Sequence, residues 1–84
     1  MSRYQVGQLV RIKQLQPYSY TVEGSYISAA RARNSGKTVV IVRVIGCLTY
    51  STYKVRNPRT HREYTYAYPD SSLIGCQIYK RQQH

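Results

Sequence analysis

Lys37-Thr38-Val39-Val40-Ile41-Val42-Arg43-Val44-Ile45 is the stretch on which the fold class turns. Six of its nine residues are Val or Ile, β-branched side chains that suit a pleated surface better than a helix. The apolar residues fall on both parities, which predicts a central strand that bends and is covered on both faces for part of its length. Gly46 interrupts it. On the C-terminal side, residues 50–56 alternate, with Tyr53 and Val55 on one face and Lys54 and Arg56 on the other. Asn57-Pro58 is a turn signal. Beyond the polar tip Arg59-Thr60-His61-Arg62, Tyr64, Tyr66 and Tyr68 recur at every second position, which puts three rings on one face of a strand. Pro69-Asp70-Ser71-Ser72 reads as a turn, Leu73-Ile74 as a short apolar step and Gln77-Ile78-Tyr79 as a last strand.

On the N-terminal side, Val10 and Ile12 alternate with Arg11 and Lys13, a half-buried strand over residues 8–13 with a basic outer face. Gly7 suits a turn into it, and Pro17, which has no N–H to donate, closes it. Residues 16–24 read as a loop that leaves Tyr18 and Tyr20 exposed. Residues 25–33 read as a short helix, with Ser25 as N-cap, alanines at 29, 30 and 32, and Asn34-Ser35-Gly36 as its stop. Five short strands and one small helix predict a single mainly β domain over residues 1–84, a five-stranded small barrel that hides most of its strand edges. Residues 1–3 and 80–84 are expected to be tails.

Composition narrows the function classes. Thirteen Lys or Arg against three Asp or Glu give a formal charge of +10 on 84 residues. Leu, Ile and Val number only 18, and ten tyrosines stand in for the absent Phe and Trp. A chain of this size buries only about 60% of its unfolded surface, which excludes a multi-domain enzyme and a cofactor-holding α/β fold. The longest apolar run, Val39-Val40-Ile41-Val42, is far short of the roughly 20 residues that span a bilayer. Met1-Ser2-Arg3-Tyr4-Gln5 lacks the apolar stretch of a signal peptide. A cytoplasmic protein with Cys47 and Cys76 reduced is the expectation.

The order of signals resembles a known family. Tyr4-Gln5-Val6-Gly7-Gln8-Leu9-Val10-Arg11-Ile12 resembles an opening of the type aromatic-x-Val-Gly-Asp-x-Val-x-Ile. Ser35-Gly36-Lys37-Thr38-Val39-Val40-Ile41 resembles a Gly-Lys core strand after a helical turn, Tyr53-Lys54-Val55 the strand that follows, and residues 64–74 an aromatic closing strand. Together these are similar to the small Src-homology-3-like barrel proteins of bacteriophages and prophages. The resemblance implies architecture more than activity. The chain departs from that pattern in its strong positive charge and in tyrosines where such proteins often carry Trp.

Catalysis finds little support. Glu23, Glu63 and Asp70 lie in separate segments, so no acid/base pair is encoded locally. Neither Cys47 nor Cys76 is spaced to pair with His61 or His84 as a nucleophile. The cysteines stand 29 apart and the histidines 23 apart, whereas zinc ligands come in close pairs. Gly36-Lys37-Thr38 ends like a phosphate loop, but position 31 is Arg31 and a strand follows where a helix is needed. No catalytic residue, metal or cofactor is expected.

The charge is the remaining signal. Lys54, Arg56, Arg59 and Arg62 place four cations within nine residues, a basic hairpin tip that suits a phosphate backbone. Arg11 and Lys13 form a second stripe, and Arg31, Arg33 and Lys37 a third. Tyr18, Tyr20, Tyr64 and Tyr66 offer stacking faces for unpaired bases, although Tyr53 and one parity of the tyrosine ladder suit a core. A non-enzymatic nucleic-acid-binding protein, for DNA or RNA, is the first expectation, with no membrane partner. The alternative is an inhibitor or adaptor of the phage type that docks on an acidic or nucleic-acid-binding host protein, because Tyr and Arg also dominate protein interfaces.

Overall fold

The computed structural model describes residues 3–46 and 49–76. Its elements, in chain order, are β1 (Leu9–Ile12), β2 (Ser19–Tyr20), β3 (Tyr26–Ile27), α1 (Ala29–Ala32), β4 (Thr38–Gly46), β5 (Ser51–Arg56), β6 (Glu63–Pro69), a 3₁₀ turn (Asp70–Ser72) and β7 (Leu73–Gly75). Five strands form one antiparallel sheet in the order β6-β5-β4-β1-β7, and β2 and β3 form a separate small hairpin. β1 pairs with β4 on one side and β7 on the other, so the last strand of the sheet returns to the first. Among the described residues the ladder is open and no closed barrel forms: β6 and β7 are its edges and are not neighbours in it. Leu73–Gly75, of which Leu73-Ile74 is the expected short apolar step, is a strand of the sheet. The last strand expected at Gln77-Ile78-Tyr79 lies outside the described residues, as do the tail at 80–84 and Cys47. Arg3, expected in a tail, is tied down by its backbone N–H, which donates to the Tyr53 hydroxyl at 3.1 Å.

The predicted bend of β4 is a β-bulge. Ile41 sits opposite Val55 and Arg43 opposite Lys54, so Val42 is an extra residue with no partner of its own. The inserted residue shifts the alternation by one. Val39, Ile41 and, past the bulge, Val44 then face the core side, while Arg43 and Ile45 turn outward. That is why apolar residues occupy both parities of this strand. A second irregularity lies between Lys54 and Arg56, where β6 carries two residues more than β5 needs. Two extra residues preserve the alternation, and Tyr64, Tyr66 and Tyr68 all stay on the core side.

The core gathers Val10, Ile12, Val39, Ile41, Tyr53, Val55, Tyr68 and Leu73 from the sheet, with Tyr4, Leu15 and Ile27 closing over it. Tyrosine fills the space that Phe would take, and each buried hydroxyl finds a partner. The Tyr53 hydroxyl donates to Asp70 Oδ1 at 2.6 Å and accepts from the Arg3 and Tyr4 N–H groups. Tyr4, edge-on to Tyr53 with centroids 5.5 Å apart, donates to the Leu73 carbonyl at 3.1 Å. The Tyr68 hydroxyl accepts from Asn34 Nδ2 at 3.0 Å.

The excursion between β1 and β4 differs from the sequence reading. The expected loop at 16–24 contains β2, and the helix starts three residues later than expected, with Ser28 and not Ser25 as its N-cap. Ser25 is committed elsewhere: its carbonyl accepts from the Thr21 N–H and its N–H donates to Thr21 Oγ1. The chain is therefore held in the β2–β3 hairpin until Ile27 and becomes free to coil only at Ser28, whose Oγ accepts from the Arg31 N–H at 3.1 Å. Gly36, at φ +84, makes the left-handed turn that ends this segment and donates to the Ile12 carbonyl at 2.7 Å. Among the described residues, no helix is long and apolar enough to cross a membrane.

Candidate nucleic-acid interface

Pairing places the cations of three strands on the outer face of the sheet. Lys54 and Arg56 leave β5 on the face opposite Tyr53 and Val55, as their alternation predicts. The bulge turns Arg43 onto that same face, directly across from Lys54. Arg11 is exposed on β1 opposite Thr38, and Arg56 stands opposite Val40 in the next row. These rows lie two residues apart, about 7 Å along the strand. Arg43 is the residue the sequence reading missed as a site. It reads as an interruption of an apolar run, and only the bulge reveals where its side chain goes.

The loop between β5 and β6 is built rigidly. Asn57 Oδ1 accepts from the Arg59 N–H at 2.7 Å and the Thr60 N–H at 3.1 Å, and its backbone exchanges bonds with Arg62 and His61. Arg56 Nη1 donates to His61 Nδ1 at 3.1 Å, because a guanidinium has no lone pair to accept with. His61 itself sits at φ +64. Arg59 and Arg62 are exposed on this loop, as expected. Arg59 also shares a cleft with Lys37, Thr38, Asn57, Pro58 and Tyr64. Thr38 thus belongs both to that cleft and to the Arg11 row.

The three acids temper this surface little. Glu63, exposed, lies 3.9 Å from Nζ of the half-buried Lys54, a surface pair worth about 0–1 kcal/mol. Lys54 also donates to the Thr65 carbonyl. Asp70 is held by Tyr53, and Glu23 accepts from the backbone and side chain of Ser71. Burial pushes the Glu23 carboxyl up, but the Ser71 hydrogen bonds outweigh it and hold the group below its ordinary value.

The aromatic candidates divide. Tyr18 and Tyr20 are 72% and 69% exposed on the small hairpin, with Tyr20 edge-on to Tyr26 at 5.3 Å. Tyr18 holds φ +63, a conformation that a bulky side chain rarely adopts. Lys13 is exposed two residues beyond Arg11 and lines a groove with Tyr20. Tyr64 and Tyr66 are half-buried against the core, Tyr66 beneath Arg31, while Tyr64 keeps part of its ring on the cleft it shares with Arg59. The Arg31 guanidinium lies 5.7 Å from the Tyr66 ring centre and 5.8 Å from that of Tyr68, and Lys37 Nζ lies 5.8 Å from that of Tyr64. Arg31 further donates to the Tyr26 carbonyl, so within the third basic stripe it serves the packing of the helix on the sheet. Cys76 is a half-buried free thiol.

No family model, no curated protein and no solved structure matches this chain.

Proposed function

We propose that this protein is a non-enzymatic nucleic-acid-binding module that grips phosphates with the outer face of its sheet and the loop beyond it. One observation carries the reading. Arg11, Arg43, Lys54 and Arg56 come from three adjacent strands onto one face, and Thr38, opposite Arg11, lines the cleft that holds Arg59. Like charges directly opposite each other, as Arg43 and Lys54 are, destabilise a sheet. Their juxtaposition suits an anionic partner that neutralises both. Cations spread over three strands and the loop beyond them fit an extended polyanion better than a compact patch would. Lys13 extends the array toward Tyr20 and the small hairpin, and Arg62 flanks it on the loop.

The scaffold we propose is a small Src-homology-3-like barrel of the phage and prophage type. Its support is the meander β4–β5–β6, the 3₁₀ turn before the last strand and the pairing of β7 with β1.

Titration of the protein with short single-stranded DNA, duplex DNA and RNA at two salt concentrations tests the function. With four phosphate contacts on a duplex, the affinity is expected to fall about 10²-fold between 50 and 200 mM salt. Absence of binding at low salt would refute the reading. A second reading, a protein partner, is favoured by the apolar exposure of Tyr18, Tyr20 and Val22 on one hairpin. A partner captured from nuclease-treated lysate by the native chain, and lost with Tyr18→Ser and Tyr20→Ser together, is its test.

A further inference from the structure

The cleft lined by Lys37, Thr38, Asn57, Pro58, Arg59 and Tyr64 has a volume of ≈ 410 Å³. It lies where Thr38, at the start of β4, meets the loop after β5. We infer that this cleft holds one unpaired nucleotide of a bound single strand, its phosphate between Lys37 and Arg59 and its base against Tyr64 and Pro58. The inference rests on the proposed nucleic-acid reading and adds the form of nucleic acid to it.

Size is the first argument. The volume falls within the range of about 300–1,000 Å³ typical of small-molecule sites. A duplex, whose major groove alone is about 12 Å wide, can lie across such an opening but cannot enter it. Charge is the second. Two cations line the cleft and none of the three acids of the chain does. Glu63, next to Tyr64 in sequence, leaves β6 on the other face and pairs with Lys54. Chemistry is the third. Pro58 and the open part of the Tyr64 ring supply apolar surface for a base face, while the hydroxyl of the exposed Thr38 is suited to its polar edge.

The site is also preorganised. Lys37 Nζ donates to Asn34 Oδ1 at 3.1 Å and stays over the Tyr64 ring. Asn57 Nδ2 reaches the Tyr64 hydroxyl at 3.5 Å, while Asn57 Oδ1 pins the Arg59 backbone. Little ordering remains to be done when a ligand arrives.

The test has two arms on the full chain. Backbone amide shifts are followed by NMR on adding a 5′-phosphorylated thymidine dinucleotide or, separately, inorganic phosphate. Single-stranded and duplex oligonucleotides of equal length are then titrated into the native chain and into Lys37→Gln/Arg59→Gln. Both replaced residues are exposed, and a thermal melt checks that the variant folds. The dinucleotide is expected to move the Thr38, Arg59 and Tyr64 amides well beyond what phosphate does. The native chain is expected to prefer the single strand by at least about fivefold, and the variant to lose that preference. Equal losses on both strand forms, or phosphate shifts matching those of the dinucleotide, would overturn the inference. Oligonucleotide binding that leaves the cleft amides unmoved would overturn it alone and leave the wider reading standing. If no oligonucleotide binds, the wider reading fails first and takes this inference with it.

Discussion

Arg43 shows how one side chain can be set against the stability of its own strand. It stands across from Lys54 on an outer face where, among the described residues, Glu63 is the one counter-charge. Replacing it with Thr, a good strand former, removes a like-charge pair and is expected to stabilise the fold by about 0.2–1 kcal/mol. The same change is expected to weaken nucleic-acid binding and to make the slope of log affinity against log salt shallower by about 0.7–0.9. Urea midpoints and titrations at several salt concentrations measure the two effects. An unchanged slope would remove Arg43 from the interface. At this scale the sequence was legible where alternation is regular: Arg11, Lys13, Lys54 and Arg56 stand outward as their parity requires. Arg43 and the buried Tyr4 were not legible. The first depends on a bulge, and the second on a long-range approach to Tyr53 and Leu73.

Among the elements, the small hairpin of β2 and β3 is the least supported by its own contacts. Its two strands pair over only two residues each. Across 48 positions of sequence, Glu23 anchors it to the 3₁₀ turn, its two carboxylate oxygens accepting from the Ser71 N–H at 3.1 Å and the Ser71 hydroxyl at 2.6 Å. The folded carboxyl lies below its ordinary value of 4.5. Its contribution is therefore present above that value and is lost as the pH falls through the folded one. Hydrogen-exchange protection of the hairpin amides should drop below pH 4.5 while that of β4 and β5 persists. Glu23→Gln at neutral pH should cost the closed hairpin about 1 kcal/mol. Equal protection across hairpin and sheet at both pH values would rule the anchor out. Neither β2 nor the true helix start was readable locally. Both are set by which carbonyls and N–H groups the hairpin occupies before Ser28 is free.

In the whole molecule, a core without Phe or Trp makes the fold sensitive to alkali. Burial pushes Tyr53 above the ordinary tyrosine value of 10.0, and its bond to Asp70 pushes it further. Burial also raises Tyr68, against the lowering effect of Asn34 and Arg31. Both groups favour the folded state fully below their unfolded value near 10, and that advantage is lost as the pH rises through their higher folded values. The denaturation midpoint should therefore hold level to about pH 9 and fall beyond 10. A midpoint that stays level to pH 11.5 would contradict the packing described. By itself the sequence determined the mainly β class, the alternating faces of β1, β5 and β6, and a cationic exterior, because alternation is a local property of an extended chain with a period of two residues. Only the tertiary structure decided which cations meet. An unpaired Val42 turns Arg43 toward Lys54, and the pairing of β1 with β4 sets Arg11 beside Thr38 and the Lys37–Arg59 cleft. Strand register and bulges follow from hydrogen bonds between segments far apart in sequence, and no local pattern encodes them.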